Sequence, residues 1–279
     1  MTWKIAADSS CDLREGLPPL PGLSFSIVPL KIRVGAREFV DDQSLDLDEM
    51  KAALKAASGP TSSACPSPQE WARVFEEADC TIAVAMTSCL SGTFNSAVVA
   101  RRMVLERHPE KKILVIDTRS TGGHMALLIW KIRDLIAQGL SFQEVAREAV
   151  AYNRSLRLLF TLSAFDNLVR NGRMNKLVGF VASSLGIRIV AEAREGKIQV
   201  LHKVRGQSRA LDTLVDEMTR QKPDLAGKPV VISHCNNLPG VRYLTQLLEE
   251  RFPGIQVSVM ETRGLTSYYA EETGILVGF

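Results

Sequence analysis

Over residues 1 to 155 the chain alternates short apolar runs with amphipathic runs of helical period, a pattern that restricts it to an α/β layer. "WKIAAD" is predicted as a first strand ending in the polar turn "SSCDL", and "FSIVPLKIRV" with "REFVDD" as a strand pair around Gly35. "SLDLDEMKAALKAA" predicts a helix opened by Ser44 with acids in its first turn, and "SPQEWARVFEEA" a second one with Pro68 at its start. "CTIAVAMTS" is predicted as a buried strand, "GTFNSAVVARRMVLERH" as a helix, "KILVIDT" as a strand, and "GGHMALLIWKIRDLIAQG" and "SFQEVAREAVAYNRS" as helices.

Beyond residue 155 the pattern changes. "RLLFTL", "IRIVAEAREGKIQVLHKVRG", "KPVVISHCN", "IQVSVMETRG" and "GILVGF" are predicted as strands, the second being a hairpin that turns at Glu195-Gly196. "FDNLVRNG", "MNKLVGFVASSLG", "SRALDTLVDEMTRQ" and "PGVRYLTQLLEERF" supply the helices between them. The expected organisation is two α/β domains, 1–155 with a Rossmann-like parallel sheet and 156–279 with a mixed sheet and flanking helices.

Three strands of the first half end in hydroxyl or carboxylate side chains: Asp8-Ser9-Ser10, Thr87-Ser88 and Asp117-Thr118. In an open parallel sheet the carboxyl ends of strands and the helix N-termini beside them form the ligand crevice, which suits a small anion. No G-x-x-x-x-G-K-[ST], G-x-G-x-x-G, H-E-x-x-H or G-x-S-x-G occurs, and the four histidines (His108, His124, His202, His234) are scattered. Five cysteines without a C-x-x-C spacing argue for reduced thiols rather than a disulfide framework or a zinc site. With no basic-then-apolar leader and no long uncharged apolar run, the expected location is the cytoplasm, with no integral membrane segment.

Charge is unevenly distributed. From Arg154 to Arg209 eleven Lys and Arg face three acids, an excess of eight in a chain whose net charge is only +3. That segment is either a solvated surface or a docking face for an anion or an acidic partner. No recognition-helix, finger or RNP pattern accompanies it, so nucleic acid is not expected.

The stretch "TSCLSGTFNSAVVARR" places several hydroxyls where a helix begins. Serine with no base beside it is a weak nucleophile and a good neutral donor, able with helix-start N–H groups to keep a bound carboxylate ionised. Ser88 or Ser91 could equally cap a helix beginning at Gly92, and the two roles are compatible.

The ordered motifs "ADSSCDL", "TSSACPSP", "TSCLSGTFNSA", "VIDT", "LVRNGRMNK", "LGIRIV", "KVRGQSRAL" and a terminal "GF" resemble the DegV family, whose members include the fatty-acid-binding subunits of bacterial fatty acid kinase. The resemblance spans nearly the whole chain. It implies two α/β domains with a buried apolar tunnel between them, and a non-catalytic role. Such a protein holds a long-chain fatty acid such as palmitate, stearate or oleate and presents its carboxylate to a separate ATP-dependent kinase that forms the acyl phosphate. No cofactor or metal is implied. Carried over by motif, carboxylate contacts fall on Ser63, taking Pro66-Ser67-Pro68 as the anchor, and on Ser91 with the helix start at Gly92. Most members carry Gly-Thr-His-x-Gly-Pro-Gly near the C-terminus, whereas this chain reads "RGLTSYYAEETG", so Thr266, Ser267 or Tyr268 is expected to replace the histidine. Arg173, with Arg170, Lys203 and Arg205, is implied at the face turned toward the kinase. On the residues alone two other readings stay open: a phosphoryl-transfer or phosphatase-like enzyme using Asp8, Asp12 and Asp117, and a lipid-sensing module whose basic segment binds a non-kinase partner or RNA.

Overall fold

The computed structural model describes residues 1–14, 16–174 and 186–279; the helix expected over "MNKLVGFVASSLG" falls outside them except for its end residues Met174 and Gly186. The first half of the chain runs β1 (Trp3–Asp8), a 3₁₀ turn (Ser9–Cys11), β2 (Leu23–Val28), β3 (Lys31–Val34), β4 (Arg37–Val40), α1 (Leu47–Ala56), β5 (Thr61–Ala64), α2 (Pro68–Glu76), β6 (Cys80–Ala85), α3 (Thr93–Arg107), β7 (Lys112–Asp117), α4 (Gly123–Ala137) and α5 (Phe142–Ser155). The second half runs β8 (Leu158–Leu162), α6 (Asp166–Arg170), β9 (Ile187–Arg194), β10 (Lys197–Arg205), α7 (Gln207–Gln221), β11 (Pro229–His234), α8 (Leu238–Arg251), β12 (Gln256–Glu261), α9 (Gly264–Ala270) and β13 (Ile275–Gly278).

Strands β2-β1-β6-β7 form a four-stranded parallel sheet. The central strands β1 and β6 are buried on both faces, which explains why they read as continuous apolar runs. A mixed six-stranded sheet has the order β10-β9-β8-β13-β11-β12, with β9 and β10 joined by the expected hairpin at Glu195-Gly196. Helix α4 packs against β1 and also against β11 and β13, so Met125 through Ile129 are all buried and the helix has no polar face there. Among the described residues no helix is long and apolar enough to cross a membrane.

Several local expectations are corrected. "FSIVPLKIRV" is not one strand: it divides at Pro29-Leu30 into β2, in the parallel sheet, and β3, at the centre of a separate three-stranded sheet β4-β3-β5. Pro29 has no N–H for a ladder, and the Leu30 N–H donates to Ser9 Oγ at 3.1 Å instead. Helix α1 is capped by Asp46, whose carboxylate accepts from Glu49 N at 2.8 Å, while the Ser44 N–H and hydroxyl are spent on Asp42 Oδ1. Helix α3 starts at Thr93 with Gly92 as its N-cap; Ser88 does not cap it, because its hydroxyl donates to Asp117 at 2.6 Å. Strand β12 stops at Glu261, and the following Arg263-Gly264 starts α9.

The start of α9 is held by buried carboxylates from the other half of the chain. Asp12 Oδ1 accepts from Arg263 N at 2.8 Å, and Asp41 accepts from Gly264 N at 2.8 Å and Leu265 N at 2.9 Å. Three successive N–H groups that a short helix leaves open are thereby satisfied. The Arg263 guanidinium also lies 3.6 Å from Asp41 and donates to the Asp42 carbonyl. Burial pushes the Asp12 carboxyl up to about 7, with the Arg263 N–H acting in the opposite direction. Asp8, whose two oxygens accept from Ser10 and Met86 N, is pushed by burial up to about 6.

For a carboxyl whose folded-state pKa is raised, the folded chain keeps a proton that the unfolded chain has released, so stability is greatest below the unfolded value and fades as pH rises. For Asp12 that window runs from 3.8 to about 7. Asp12→Asn keeps an acceptor for Arg263 N and removes the titration. Denaturant melts of the two proteins across the window are expected to show wild type losing on the order of 4 kcal/mol relative to the variant as pH rises. A difference that does not change with pH would contradict this.

Candidate functional site: an apolar cavity with a hydroxyl cluster

A narrow cavity lies between the two larger sheets and is lined by both halves of the chain. Leu158, Phe160 and Leu162 line it because alternate residues of β8 share one face, while Leu159 between them packs into the core under α7 and α8. Ile198 and Leu276 continue this wall, and Leu30, Met86 and Leu90 face it from the first half.

Several polar side chains of this wall gather around Tyr269 and the Leu90-Ser91 turn. Ser63 on β5 shares a 2.8 Å hydrogen bond with the hydroxyl of Tyr269 on α9. The Arg173 guanidinium stands 5.9 Å from the centre of the Tyr269 ring and donates to the carbonyls of Leu90, at 3.3 Å, and Asn171, at 2.6 Å. Ser91, next to Leu90, shares its hydroxyl with Thr93 at 2.9 Å. Behind this layer Tyr268 repeats the arrangement, joined to Thr61 and to Asn171 Nδ2 at 2.8 Å each. Thr61 and Ser63, Tyr268 and Tyr269, and Asn171 and Arg173 thus form two parallel sets, Tyr268 fully buried and Tyr269 facing the cavity. Burial raises the Tyr269 phenol and the nearby Arg173 charge opposes the rise.

Loop geometry keeps Ser91 in place. Thr87 Oγ1 donates to the Gly196 carbonyl at 2.7 Å and accepts from Cys89 N at 3.2 Å, so the tip of the β9–β10 hairpin is pinned to the loop before α3. Gly196 has φ +84°, and a Cβ there would lie 2.6 Å from Thr87 Oγ1, so both the turn and the approach require glycine. On the other side Ser96 Oγ donates to the Pro66 carbonyl at 2.6 Å, tying α3 to the segment that leads from Ser63.

Of the residues expected to contact a carboxylate, Ser63, Ser91 and Thr266 line the cavity. Thr266 Oγ1 is buried beside Asp12. Gly92 and Ser267 do not line it: Gly92 sits against Cys65, and the Ser267 hydroxyl is paired with Thr262 at 2.7 Å. Arg173, expected on a docking face, lies in the cavity wall, while Arg170, Lys203 and Arg205 are exposed. Tyr269 escaped sequence reasoning, although Leu265, Thr266, Tyr269 and Ala270, which all line the cavity, fall on one face at helical spacing once α9 is known to be a helix.

Strand-end residues divide into two groups. Thr87, Ser120 and Thr121 line the cavity. Asp8 and Asp117 instead organise turns, Asp117 accepting from the Ser88 hydroxyl and from Arg119 N at 2.9 Å. Asp8 and Asp12 are fully enclosed, an arrangement suited to holding loops rather than to meeting a phosphoester. Among the described residues no group of three or more His, Cys, Asp or Glu is placed to hold a metal ion.

Comparison with known proteins gives a consistent result. A DegV domain-containing protein of Streptococcus pneumoniae is 44% identical over 280 residues, covering 100% of this chain and 99% of the relative. The crystal structure of the S. pneumoniae fatty acid kinase (Fak) B3 protein, loaded with linoleic acid, superposes with a TM-score of 0.97 at 43% identity, covering 100% of this chain and 99% of that one. A DegV family protein from Eubacterium eligens, loaded with heptadecanoic acid, gives 0.93 at 33% identity, covering 99% of each chain. A family model described as an uncharacterised protein, DegV family, matches residues 2–277, and by that match and these identities the chain belongs to the DegV family.

Proposed function

We propose that this chain binds one long-chain fatty acid, its tail along Leu158, Phe160 and Leu162 and its carboxylate at the Ser63, Ser91, Tyr269 and Arg173 cluster. The observation that carries the reading is a cavity with a mostly apolar lining, in which hydroxyls and a guanidinium gather at Ser63, Ser91, Tyr269 and Arg173. Each methylene buried contributes roughly 0.8 kcal/mol, so a tail of about fourteen contributes on the order of 10 kcal/mol gross and dominates affinity. Hydroxyl donors and Arg173 then decide which end of the lipid meets the protein surface. The S. pneumoniae and E. eligens relatives carry linoleic and heptadecanoic acids, which supports a chain of similar length here.

The protein acts as a carrier rather than as an enzyme, presenting the carboxylate to a separate ATP-dependent fatty acid kinase. Arg170, Lys203 and Arg205 are exposed on the basic part of the chain and form the docking face of this proposal, since guanidinium groups stay charged and suit carboxylate and phosphate oxygens. Arg173 serves both roles because it also lines the cavity.

Organic extraction of the purified protein followed by mass spectrometry is expected to release about one equivalent of a long-chain fatty acid per chain. Protein that comes without lipid and takes up neither palmitate nor oleate would refute the proposal. Ser91→Ala is expected to leave the fold intact and weaken fatty-acid binding by about 1 to 3 kcal/mol, because a charged acceptor loses a donor in a dry site. Unchanged affinity in a lipid titration would leave Ser91 with only its contact to Thr93. With the cognate kinase, Arg205→Ala should slow acyl-phosphate formation, increasingly so as salt rises, without loss of lipid, whereas Arg173→Ala should lower both. Wild-type turnover of Arg205→Ala across a salt series would make this face a solvated surface.

A further inference from the structure

A second concavity opens beside the apolar cavity, separated from it by a wall that includes Ser120 and Ala193. It is an open groove of about 1070 Å³ between the end of β7, the end of α5 and the β9 strand, and its lining is unlike that of its neighbour. Five arginines converge on it from four separate segments: Arg119, Arg154 with Arg157, Arg194, and Arg220. Arg194 and Arg220 pair with Glu192 and Glu217, whereas among the described residues no carboxylate lies within salt-bridge distance of Arg119, Arg154 or Arg157. Of the groove's three carboxylates, Asp117 is taken up by Ser88 and Arg119 N and Glu192 by Arg194 and Gln221, while the exposed Glu195 at the hairpin turn has no salt-bridge partner among the described residues, so the five arginines remain in excess.

The wall of the groove carries two buried polar atoms without a partner, His124 Nδ1 and Ser120 Oγ. The state of His124 follows from its neighbour. Asn153 Nδ2 donates to the Asp117 carbonyl at 3.2 Å, which orients the amide so that Asn153 Oδ1 faces His124 Nε2 at 2.8 Å. Nε2 therefore carries the proton, and Nδ1 presents a lone pair. Burial, reinforced by the positive Lys222 and Arg157, holds this imidazole down to about 4, so it stays neutral near pH 7. A hydroxyl on the ligand can donate to Nδ1, and Ser120 can donate to a ligand oxygen. Phe94 adds an aromatic wall.

We propose that this groove is a second ligand site, for a phosphate monoester carried on a hydroxyl-bearing body, the phosphate meeting Arg119, Arg154 and Arg157 and the body meeting His124 Nδ1 and Ser120 Oγ. The guanidinium groups of Arg119 and Arg154, with no carboxylate partner among the described residues, match a dianionic phosphate with bidentate hydrogen bonds, and Arg157, whose Nη1 donates to the Arg154 and Leu156 carbonyls at 2.9 and 2.8 Å, adds positive charge beside them. A lone pair and a hydroxyl set back in the wall match a small molecule better than the flat surface of an acidic protein.

Isothermal titration of the whole, lipid-loaded chain with ribose 5-phosphate, AMP, ribose, adenosine and inorganic phosphate tests the proposal. Saturable binding of at least one monoester is expected, at least tenfold tighter than its unphosphorylated counterpart and than inorganic phosphate. The double substitution Arg119→Ala/Arg154→Ala, on two exposed side chains, should weaken it at least tenfold without changing fatty-acid content. His124→Gln, if it folds, should remove the preference over inorganic phosphate; if it does not, Ser120→Ala tests the same preference. Equal affinity for inorganic phosphate and the monoesters would reduce the groove to an adventitious anion site, and no binding by either monoester would overturn the proposal, as would a groove that captures only an acidic peptide. Because lipid content is read separately, failure here is distinguishable from failure of the fatty-acid reading.

Discussion

The cavity depends on the way two aspartates near the front of the chain close the N-terminus of a helix near its end. Asp12 and Asp41 accept from Arg263, Gly264 and Leu265 N–H groups, and no side chain within α9 caps that end. A seven-residue helix has little stability of its own, so its position is set by what it packs against and by who takes its open donors. Gly264 permits the approach: a Cβ there would stand 2.8 Å from Asp41 Oδ1 and 2.6 Å from Leu45. From this fixed end Thr266 and Tyr269 project into the cavity, and Tyr268 into the layer behind it.

That anchoring has an electrostatic cost, since carboxyl groups enclosed this deeply lose their hydration. Burial raises Asp8, Asp12 and Asp41 together, while main-chain N–H donors and Arg263 offset part of the loss. Organised donors make the arrangement tolerable, and the same principle reappears at the cavity. Tyr269 and Ser63 satisfy each other, and Arg173 is braced by two carbonyls, so the polar groups are held in place before any ligand arrives.

The two concavities separate two kinds of chemistry across a thin wall. Leucines and a phenylalanine from one face of β8 give the cavity its apolar length, and the continuous apolar surface of α4 fills the space between the sheets beside it. Arginines at the ends of β7, α5, β9 and α7 give the groove its charge. A strand can serve an apolar cavity on one face and a helix core on the other because its side chains alternate, as Leu158 to Leu162 do.

Much of this was legible in the residues. Apolar runs located the strands of both large sheets, Pro68 marked the start of α2, helical periodicity located α5, and the Glu195-Gly196 turn located the hairpin. Serines 63 and 91 could be named from their motifs, and both line the cavity. Other features carried no local signal. Strand β5, "TSSA", is polar and exists because β3 offers it a ladder; α9 exists because Asp12 and Asp41 cap it; and Pro29 sends β2 and β3 to different sheets because Ser9 receives the Leu30 N–H. Tyr269 meets Ser63 across 206 positions of sequence, and Arg173 reaches Leu90 across 83. Periodicity and capping act within a few residues and are written in the chain, whereas a cluster drawn from four distant segments is decided by the packing that brings them within hydrogen-bond reach.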